Sequence, residues 1–192
     1  PATVTAVTSE GRALQVLAAE LADGAGRARG AGAAQAFGTN RGESIYTVVA
    51  EGDEHLVLAT AGGMTKRLTL DEVRSTRNGK PLLKLKTGDR VMAAFTAPSG
   101  VDVVLVASDG QVLRTPVDGI SVQGRGAAGV AGMKLRPGAT VVGAAVILGE
   151  DVLITVTDDG EVKATLLSEL DAKGRGGVGV RATRLGDGTT LT

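Results

Sequence analysis

Cysteine and tryptophan are absent from this sequence of 192 residues, which also has only one histidine, one tyrosine and two phenylalanines. The lack of cysteine excludes disulfides and thiolate metal sites. The shortage of histidine and aromatic residues disfavours most other metal sites and the aromatic platforms on which nucleic-acid bases stack. We therefore expect a domain that holds no metal and no cofactor.

Long hydrophobic runs are missing as well. No apolar stretch reaches the roughly 18 residues that a membrane-spanning helix requires. The N-terminus has no signal-peptide pattern. We therefore expect a cytoplasmic domain that makes no membrane contact.

The whole chain has no excess of charge of one sign, although some of its segments do. The formal net charge is zero, so no global field attracts a polyanion. Residues 60–90 nevertheless hold eight basic and three acidic residues, whereas residues 150–161 hold five acidic residues and no basic one. This segregation predicts a basic edge on a neutral body.

Glycine is abundant, with 29 residues, which is typical of many tight turns rather than long helices. Hairpin signals recur at Gly11, Gly63, Gly110 and Gly160, at intervals of 52, 47 and 50 residues. Residues 85–88 and 135–138 form a second matching pair, fifty residues apart. A period near 50 is typical of β-propeller blades. Parallel α/β is the rival fold, but no amphipathic helical window of 10–15 residues separates the predicted strands.

We therefore predict an all-β, propeller-like fold of four blades, each with about four antiparallel strands. The whole chain, residues 1–192, is predicted to form a single domain, with approximate blades 1–54, 55–102, 103–151 and 152–192. Strands are expected at residues 81–86, 130–135 and 180–185, among others, and a loop at residues 71–80.

Two loops rich in glycine and arginine lie fifty residues apart, at residues 123–129 and 173–179. Both match the glycine pattern of dinucleotide-binding proteins, but the helix that this pattern needs is not predicted after either loop. Flexible connection between strands is a second interpretation. The constant place of Arg125 and Arg175 between glycines favours a third, in which a guanidinium and exposed backbone N–H groups bind phosphate. The defining residues are Gln123, Gly124, Arg125, Gly126 and Gly129 in the first loop, and Lys173, Gly174, Arg175, Gly176, Gly177 and Gly179 in the second.

Cations also follow three of the four hairpin glycines by three or four positions, at Lys66, Arg67, Arg114 and Lys163. They are interpreted either as a solvated strand face or as a row of phosphate contacts. No combination of residues supports catalysis, since Ser108 and Asp109 are turn residues without a placed histidine. A calcium loop at residues 158–160 lacks the EF-hand spacing. The chain is therefore predicted not to be an enzyme by itself.

The hairpins and loops resemble the C-terminal domain of the A subunit of bacterial type IIA DNA topoisomerases, which are DNA gyrase and topoisomerase IV. The first loop is similar to the gyrase A box, whose family form is QRRGGKG. Gln123, Arg125, Gly126 and Gly129 match the box. The other three residues of this loop depart from it. The second loop matches at Arg175, Gly176, Gly177 and Gly179.

The resemblance implies a β-pinwheel whose basic rim binds duplex DNA and bends or wraps it. The weak box favours a topoisomerase IV-like or divergent gyrase parent, an ATP-dependent enzyme whose catalytic residues lie in other regions. Implied partners are duplex DNA, the A-subunit dimer and the ATPase B subunit. The isolated domain is expected to be monomeric, and the parent to be associated with the nucleoid.

The resemblance and the charge pattern together predict a set of DNA-contacting residues. They are Arg27, Arg29, Lys66, Arg67, Arg74, Arg77, Lys80, Arg114, Arg125, Lys163, Lys173 and Arg175. The alternative is a protein-interaction propeller that hardly contacts DNA, which the acidic stretches at residues 51–54 and 150–161 motivate.

Overall fold

The computed structural model describes residues 2–21, 30–49, 55–149 and 151–192. In these residues thirteen strands form four antiparallel sheets, which confirms the all-β prediction. The described residues include no helix that is both long and apolar enough to cross a bilayer.

The strands occur in repeating order along the chain. The first sheet contains β1 (Thr3–Thr8), β2 (Ala13–Leu17) and β3 (Ile45–Val49), in the order β2-β1-β3. The second contains β4 (His55–Thr60), β5 (Met64–Thr69), β6 (Val91–Ala97) and β9 (Val130–Ala131), in the order β6-β4-β5-β9. The third contains β7 (Asp102–Ala107), β8 (Gln111–Pro116), β10 (Val141–Ile147) and β13 (Val180–Arg181), in the order β10-β7-β8-β13. The fourth contains β11 (Val152–Val156) and β12 (Val162–Leu166).

Short helical segments lie between the strands. The helix α1 spans Ala33–Phe37 and α2 spans Leu70–Arg74. The predicted loop at residues 71–80 therefore begins as a helix, because the Thr69 side chain caps it by accepting the Glu72 N–H and because Leu70 and Val73 are buried. Three 3₁₀ turns, Ala18–Glu20, Val117–Gly119 and Leu167–Glu169, follow the second strand of the other sheets.

The second and third sheets each take their fourth strand from further along the chain. The short strand β9 pairs with β5, and β13 pairs with β8. The predicted strands at residues 130–135 and 180–185 are thus only two residues long, and residues 81–86 form only a bridge between Pro81 and Arg12. Each of these sheets is consequently closed by residues that lie outside its predicted blade.

The hairpin glycines fix this exchange of strands. The carbonyl of Gly110 accepts the N–H groups of Ala182 and Thr183 at 3.1 and 3.4 Å. Gly110 has a φ of 80°, and a Cβ there would lie 2.5 Å from the Thr183 carbonyl oxygen. Only glycine tolerates both the left-handed backbone and the close approach of the next segment.

The hydrophobic core consists of three clusters, one between each pair of consecutive sheets. Leu56 and Leu58 of β4 face the first sheet, whereas Val57 and Ala59 face the third. A strand that buries both of its faces needs a continuous apolar run rather than strict alternation. The sheets are therefore stacked in one dimension, each against its neighbours, as in other repeat proteins.

Candidate nucleic-acid interface

The cation at Lys66 lies inside the molecule. Its side chain has 0% exposure, and Nζ donates to the carbonyl oxygens of Leu82 (2.7 Å), Ala127 (2.8 Å) and Arg125 (3.1 Å). Burial lowers the pKa of Lys66 to about 8. An ammonium enclosed by three carbonyls has no surface to offer to a phosphate. The prediction that Lys66 contacts DNA is therefore not met in this structure.

The neighbouring Arg67 is buried as well, with 5% exposure. Its Nη1 donates to Asp118 Oδ1 at 2.7 Å, and its Nη2 donates to Ser99 Oγ at 2.7 Å. The pKa of Asp118 is lowered because its carboxylate accepts hydrogen bonds from the Gly100 N–H and then from Arg67. The Arg67 guanidinium is thus held by a half-exposed ion pair that joins β5 to the 3₁₀ turn Val117–Gly119, in place of the predicted phosphate contact.

The equivalent cations of the next two sheets also bond to protein groups. Arg114 Nε donates to Asp102 Oδ2 at 2.7 Å, and its Nη1 donates to the Leu167 carbonyl at 2.9 Å. Lys163 Nζ donates to the Ala182 carbonyl. Lys66, Arg67 and Arg114 therefore each donate to at least one backbone carbonyl of the following unit. The exposed Lys163 instead donates within its own unit.

The glycines of the two loops bring the backbone against the preceding sheet. A Cβ at Gly129, where φ is 88°, would lie 2.5 Å from the Thr65 carbonyl oxygen. Gly179 makes the same approach to the Val112 carbonyl. The first loop is anchored by the Gln123 N–H, which donates to the Arg67 carbonyl at 2.9 Å. These glycines permit contact with protein backbone, a role that the phosphate-nest interpretation did not anticipate.

The loop arginines keep part of their surface. Arg125 is half-exposed, with its Nε 3.1 Å from Glu72 Oε1. Arg175 is exposed, and its Nε donates to the Gly119 carbonyl at 2.8 Å and its Nη1 to the Ala131 carbonyl at 3.2 Å. Both guanidiniums thus hold their loop to the preceding unit while remaining open to solvent on one side.

The remaining residues of the predicted DNA-contacting set differ in their exposure to solvent. Arg74 is paired with Asp71 at 2.6 Å within α2. Arg77, Lys80 and Lys173 are exposed. Arg27 and Arg29 lie outside the described residues.

A different set of cations recurs on the surface. Residues 81–90, 131–140 and 181–190 share one pattern of buried and exposed positions, residue for residue. The fourth residue of each segment is an exposed cation, namely Lys84, Lys134 or Arg184. Lys86 and Arg136 are exposed two residues further on, where the fourth sheet has Gly186. We call these five residues the turn cations.

The turn cations occupy equivalent backbone positions. The turn that follows Lys84 is closed by the Asp89 N–H donating to the Lys86 carbonyl at 3.0 Å. The next turn is closed by Ala139 and Arg136 at 3.0 Å. Among the described residues, the sole ion pair of a turn cation joins Arg136 to Asp109 at 3.9 Å. The first sheet has Gly38 and Asn40 at the corresponding places, as judged from the shared turn glycines Gly42 and Gly88.

Lys84 and Lys86 lie in the basic edge predicted at residues 60–90, but the predicted DNA-contacting set names none of the five turn cations, although a signal for them was available. The match between residues 85–88 and 135–138 begins one residue after Lys84 and Lys134. Extending that match by one residue towards the N-terminus, and then by a further fifty residues to Arg184, identifies the three equivalent turn cations Lys84, Lys134 and Arg184.

The fold and these surfaces define a class of protein: a propeller-like array of antiparallel sheets that exchange strands and carry one or more surface cations in each of three repeats. Comparison with known proteins gives the family. The family model described as "DNA gyrase C-terminal domain, beta-propeller" matches residues 54–98, 102–147 and 151–189. The chain belongs to the DNA gyrase C-terminal domain family, and the resemblance inferred from its loops and hairpins is confirmed.

Individual relatives agree with this membership. The gyrase A protein of Mycolicibacterium smegmatis is 31% identical over 134 residues, covering 66% of this chain and 16% of the relative. That of Haemophilus influenzae is 29% identical over 138 residues, covering 69% of this chain and 16% of the relative. The chain thus spans about a sixth of the length of these two gyrase proteins.

Solved structures show the same architecture. A crystal structure of the C-terminal domain of DNA topoisomerase IV superimposes with a TM-score of 0.90 and 25% identity, covering 98% of this chain and 61% of that chain. The E. coli ParC C-terminal domain gives a TM-score of 0.69 at 17% identity, covering 99% of this chain and 77% of that chain, a likeness of fold alone.

Proposed function

We propose that this chain is a non-catalytic domain that binds duplex DNA, largely without regard to sequence, through its turn cations. The observation that carries the proposal is the recurrence of exposed cations at Lys84, Lys134 and Arg184, one in each of three consecutive repeats. Equivalent positions of stacked repeats follow the curvature of the array. Such a line of charges fits the regular succession of phosphates along a duplex.

The chemistry of these cations favours backbone contacts over base reading. Lysine and arginine at turns reach phosphate oxygens as mobile charges. The described surface offers few aromatic groups, since the chain has one tyrosine and two phenylalanines. Affinity would therefore come mainly from the release of counterions and would fall with salt.

We further propose that the domain serves the A subunit of a type IIA topoisomerase, topoisomerase IV-like or divergent gyrase, in the nucleoid. There it would bend the DNA that the enzyme acts on, alongside the A-subunit dimer and the ATPase B subunit. Bending 20–30 base pairs costs on the order of 1–6 kcal/mol. Because the net charge is zero, we expect modest bending rather than a complete wrap.

A salt titration tests the proposal. Fluorescence anisotropy with a labelled duplex of about 30 base pairs should give a log-log slope near −4.5 if the five turn cations each contact a phosphate. The triple variant K84E/K134E/R184E should reduce the steepness of that slope by about 3.

The comparison variant is R77E/K80E/K173E, which changes the net charge by the same amount at three exposed cations of the set predicted from the sequence, so that the two sets of candidate contacts are tested against each other. We expect this comparison variant to retain most of the affinity and slope. Equal losses in both variants would attribute binding to overall charge and contradict the role of the turns. A flat salt dependence of the unaltered chain would reject phosphate-driven binding altogether.

A further inference from the structure

The residue that precedes the hairpin glycine differs among the second, third and fourth sheets. It is Gly62 in the second sheet, Asp109 in the third and Asp159 in the fourth. In each sheet this hairpin lies beside the turn that carries the turn cations. The Gly62 N–H donates to Asp89 Oδ1 at 2.8 Å, and Thr189 Oγ1 donates to Asp159 Oδ2 at 3.3 Å. A carboxylate at this hairpin position is therefore close enough to act on a turn cation.

In the third sheet the hairpin carboxylate faces such a cation. Asp109 Oδ2 lies 3.9 Å from Arg136 Nε. This oxygen is buried, and it accepts no hydrogen bond from the part of the chain that the structure describes. The other oxygen, Oδ1, accepts the Gln111 N–H at 3.2 Å. Because a buried carboxylate oxygen without a hydrogen-bond donor is costly, the charge of Arg136 is what compensates it.

In the second sheet the equivalent cation, Lys86, has no such partner. Gly62 brings no side chain, and the nearby Asp89 Oδ1 accepts the N–H groups of Gly62 and Arg90 at 2.8 and 2.9 Å. The ion pairs between described residues do not include Lys86. Its side chain lines a groove of about 290 Å³ on the surface. The ammonium of Lys86 is therefore available to an external anion.

The fourth sheet has the acid without the cation at this pair of positions. Asp159 occupies the place of Asp109, but Gly186 occupies the place of Arg136. The Asp159 carboxylate accepts a hydrogen bond from the Thr157 hydroxyl instead. The three sheets thus present a cation alone, a cation with an acid, and an acid alone.

We propose that Asp109 competes with DNA phosphate for Arg136, so that Arg136 contributes less to DNA binding than its equivalent Lys86. This inference rests on the proposed function and names a residue that limits it. A phosphate that takes Arg136 leaves the buried Oδ2 of Asp109 without its counterion. The same carboxylate repels the phosphate. Binding of a phosphate to Lys86 displaces no ion pair.

The fold should tolerate the loss of this ion pair. The side chain of Arg136 is 47% exposed, and exposed pairs contribute little to stability. Asparagine at position 109 keeps an oxygen that can accept the Gln111 N–H. A change in DNA affinity of Asp109→Asn can therefore be separated from a change in folding, which urea denaturation of the same variant measures.

The first test compares Asp109→Asn with Asp159→Asn by fluorescence anisotropy on the same labelled duplex. Both variants remove one negative charge at equivalent hairpin positions, but the second has no turn cation to release. We expect Asp109→Asn to bind DNA about two- to fivefold more tightly than the unaltered chain. Asp159→Asn should give less than half of that gain. Asp109→Gly, which installs the residue of the second sheet, should reproduce the effect of Asp109→Asn.

The second test uses two double variants of unchanged net charge. K86Q/D159N removes a free turn cation and an acid, whereas R136Q/D109N removes the paired cation with its own acid. The first should lose at least twofold more affinity than the second, because only Lys86 meets phosphate without a competitor.

The outcomes separate this inference from the proposed function. If Asp109→Asn and Asp159→Asn have equal effects, or if the two double variants bind equally, Asp109 does not compete for Arg136, although the chain still binds DNA through its turns. A chain that fails to bind the duplex, or binds it without salt dependence, would reject the proposed function and the competition together.

Discussion

The two glycine loops share one backbone design but are held by different forces. In both, the first N–H of the loop region bonds to the preceding sheet, from Gln123 to the Arg67 carbonyl at 2.9 Å and from Lys173 to the Arg114 carbonyl at 2.8 Å. Below the first loop lies the buried ammonium of Lys66. At the equivalent position below the second lies the apolar Leu113, whose Cδ1 is near Gly177.

This difference separates what the repeat requires from what varies between its copies. The glycines and the backbone hydrogen bonds are common to both loops, so we infer that they are needed for strand exchange. The buried charge of Lys66 lies below the first loop only, whereas Leu113 lies below the second. A charged side chain is therefore one of two ways to fill the space below such a loop. Substitutions in the shared part should therefore cost more stability than substitutions in the parts that differ.

The largest effect is expected from Gly129→Ala and Gly179→Ala. Each adds a Cβ against a backbone carbonyl at a positive φ, which neither loop can relieve without shifting its strand. We expect a loss of about 2–4 kcal/mol in the free energy of unfolding for each variant, measured by urea denaturation.

The control for this pair is Gly126→Ala. Gly126 lacks a positive φ, and a Cβ there would meet no atom within 4 Å. Its free energy of unfolding should change by less than about 0.5 kcal/mol. A mild effect of Gly179→Ala beside a severe effect of Gly129→Ala would show that the shared geometry is needed in only one loop.

The next effect concerns the buried charge. Lys66→Leu installs the residue that the second loop uses, but it leaves the carbonyls of Leu82 and Arg125 without this donor and the Ala127 carbonyl with the Lys84 N–H at 3.3 Å. We expect a loss of about 1–3 kcal/mol in the free energy of unfolding. The reciprocal variant Leu113→Lys should cost more, because it buries an ammonium.

Chemical denaturation of the two variants measures whether the buried ammonium of Lys66 stabilises the fold. A Lys66→Leu protein as stable as the unaltered chain would mean that the ammonium and its three hydrogen bonds merely balance the cost of burial. The two loops would then be energetically alike in spite of their different contacts.

Much of this comparison could be predicted from the sequence, and the part that could not has a physical cause. The Asp109–Gly110 hairpin and the fifty-residue period predicted the sheets, because turn geometry is local. The burial of Lys66 and Arg67 was missed because a strand that packs on both faces gives its polar residues no solvent side, and spacing alone does not reveal the second neighbour. The exchange of β9 and β13 was missed because a two-residue strand has no detectable periodicity.

The pKa of Lys66 provides a third test. It predicts that the free energy of unfolding changes by at most about 1.4 kcal/mol per pH unit. The folded-state pKa is about 8 and the ordinary value is 10.5, so between these values the unfolded chain binds more protons than the folded chain. The free energy of unfolding contributed by this group should therefore rise with pH from about 8 to about 10.5. Below pH 8 the contribution is constant.

Urea denaturation at pH 7, 8, 9 and 10 measures this dependence, with Lys66→Leu as the reference that removes the group. The difference in the free energy of unfolding between the two proteins should move in favour of the unaltered chain as the pH increases. Movement in the opposite direction would mean that the three hydrogen bonds of the ammonium outweigh the cost of its burial, so that folding raises the pKa of Lys66 instead of lowering it.

The smallest effect is expected from the loop arginines, whose contacts lie in solvent. Arg125→Ala removes the pair with Glu72 and a 3.3 Å hydrogen bond to the Ser75 carbonyl, and an exposed pair contributes about 0.2–1 kcal/mol that salt screens. Arg175→Ala removes hydrogen bonds to the carbonyls of Gly119 and Ala131, which salt screens less than an ion pair. The loss in the Arg125 variant should therefore shrink in 1 M salt, while that in the Arg175 variant should persist. If both losses vanish together, the two arginines act only as charges, and the loops differ at Lys66 and Leu113 alone.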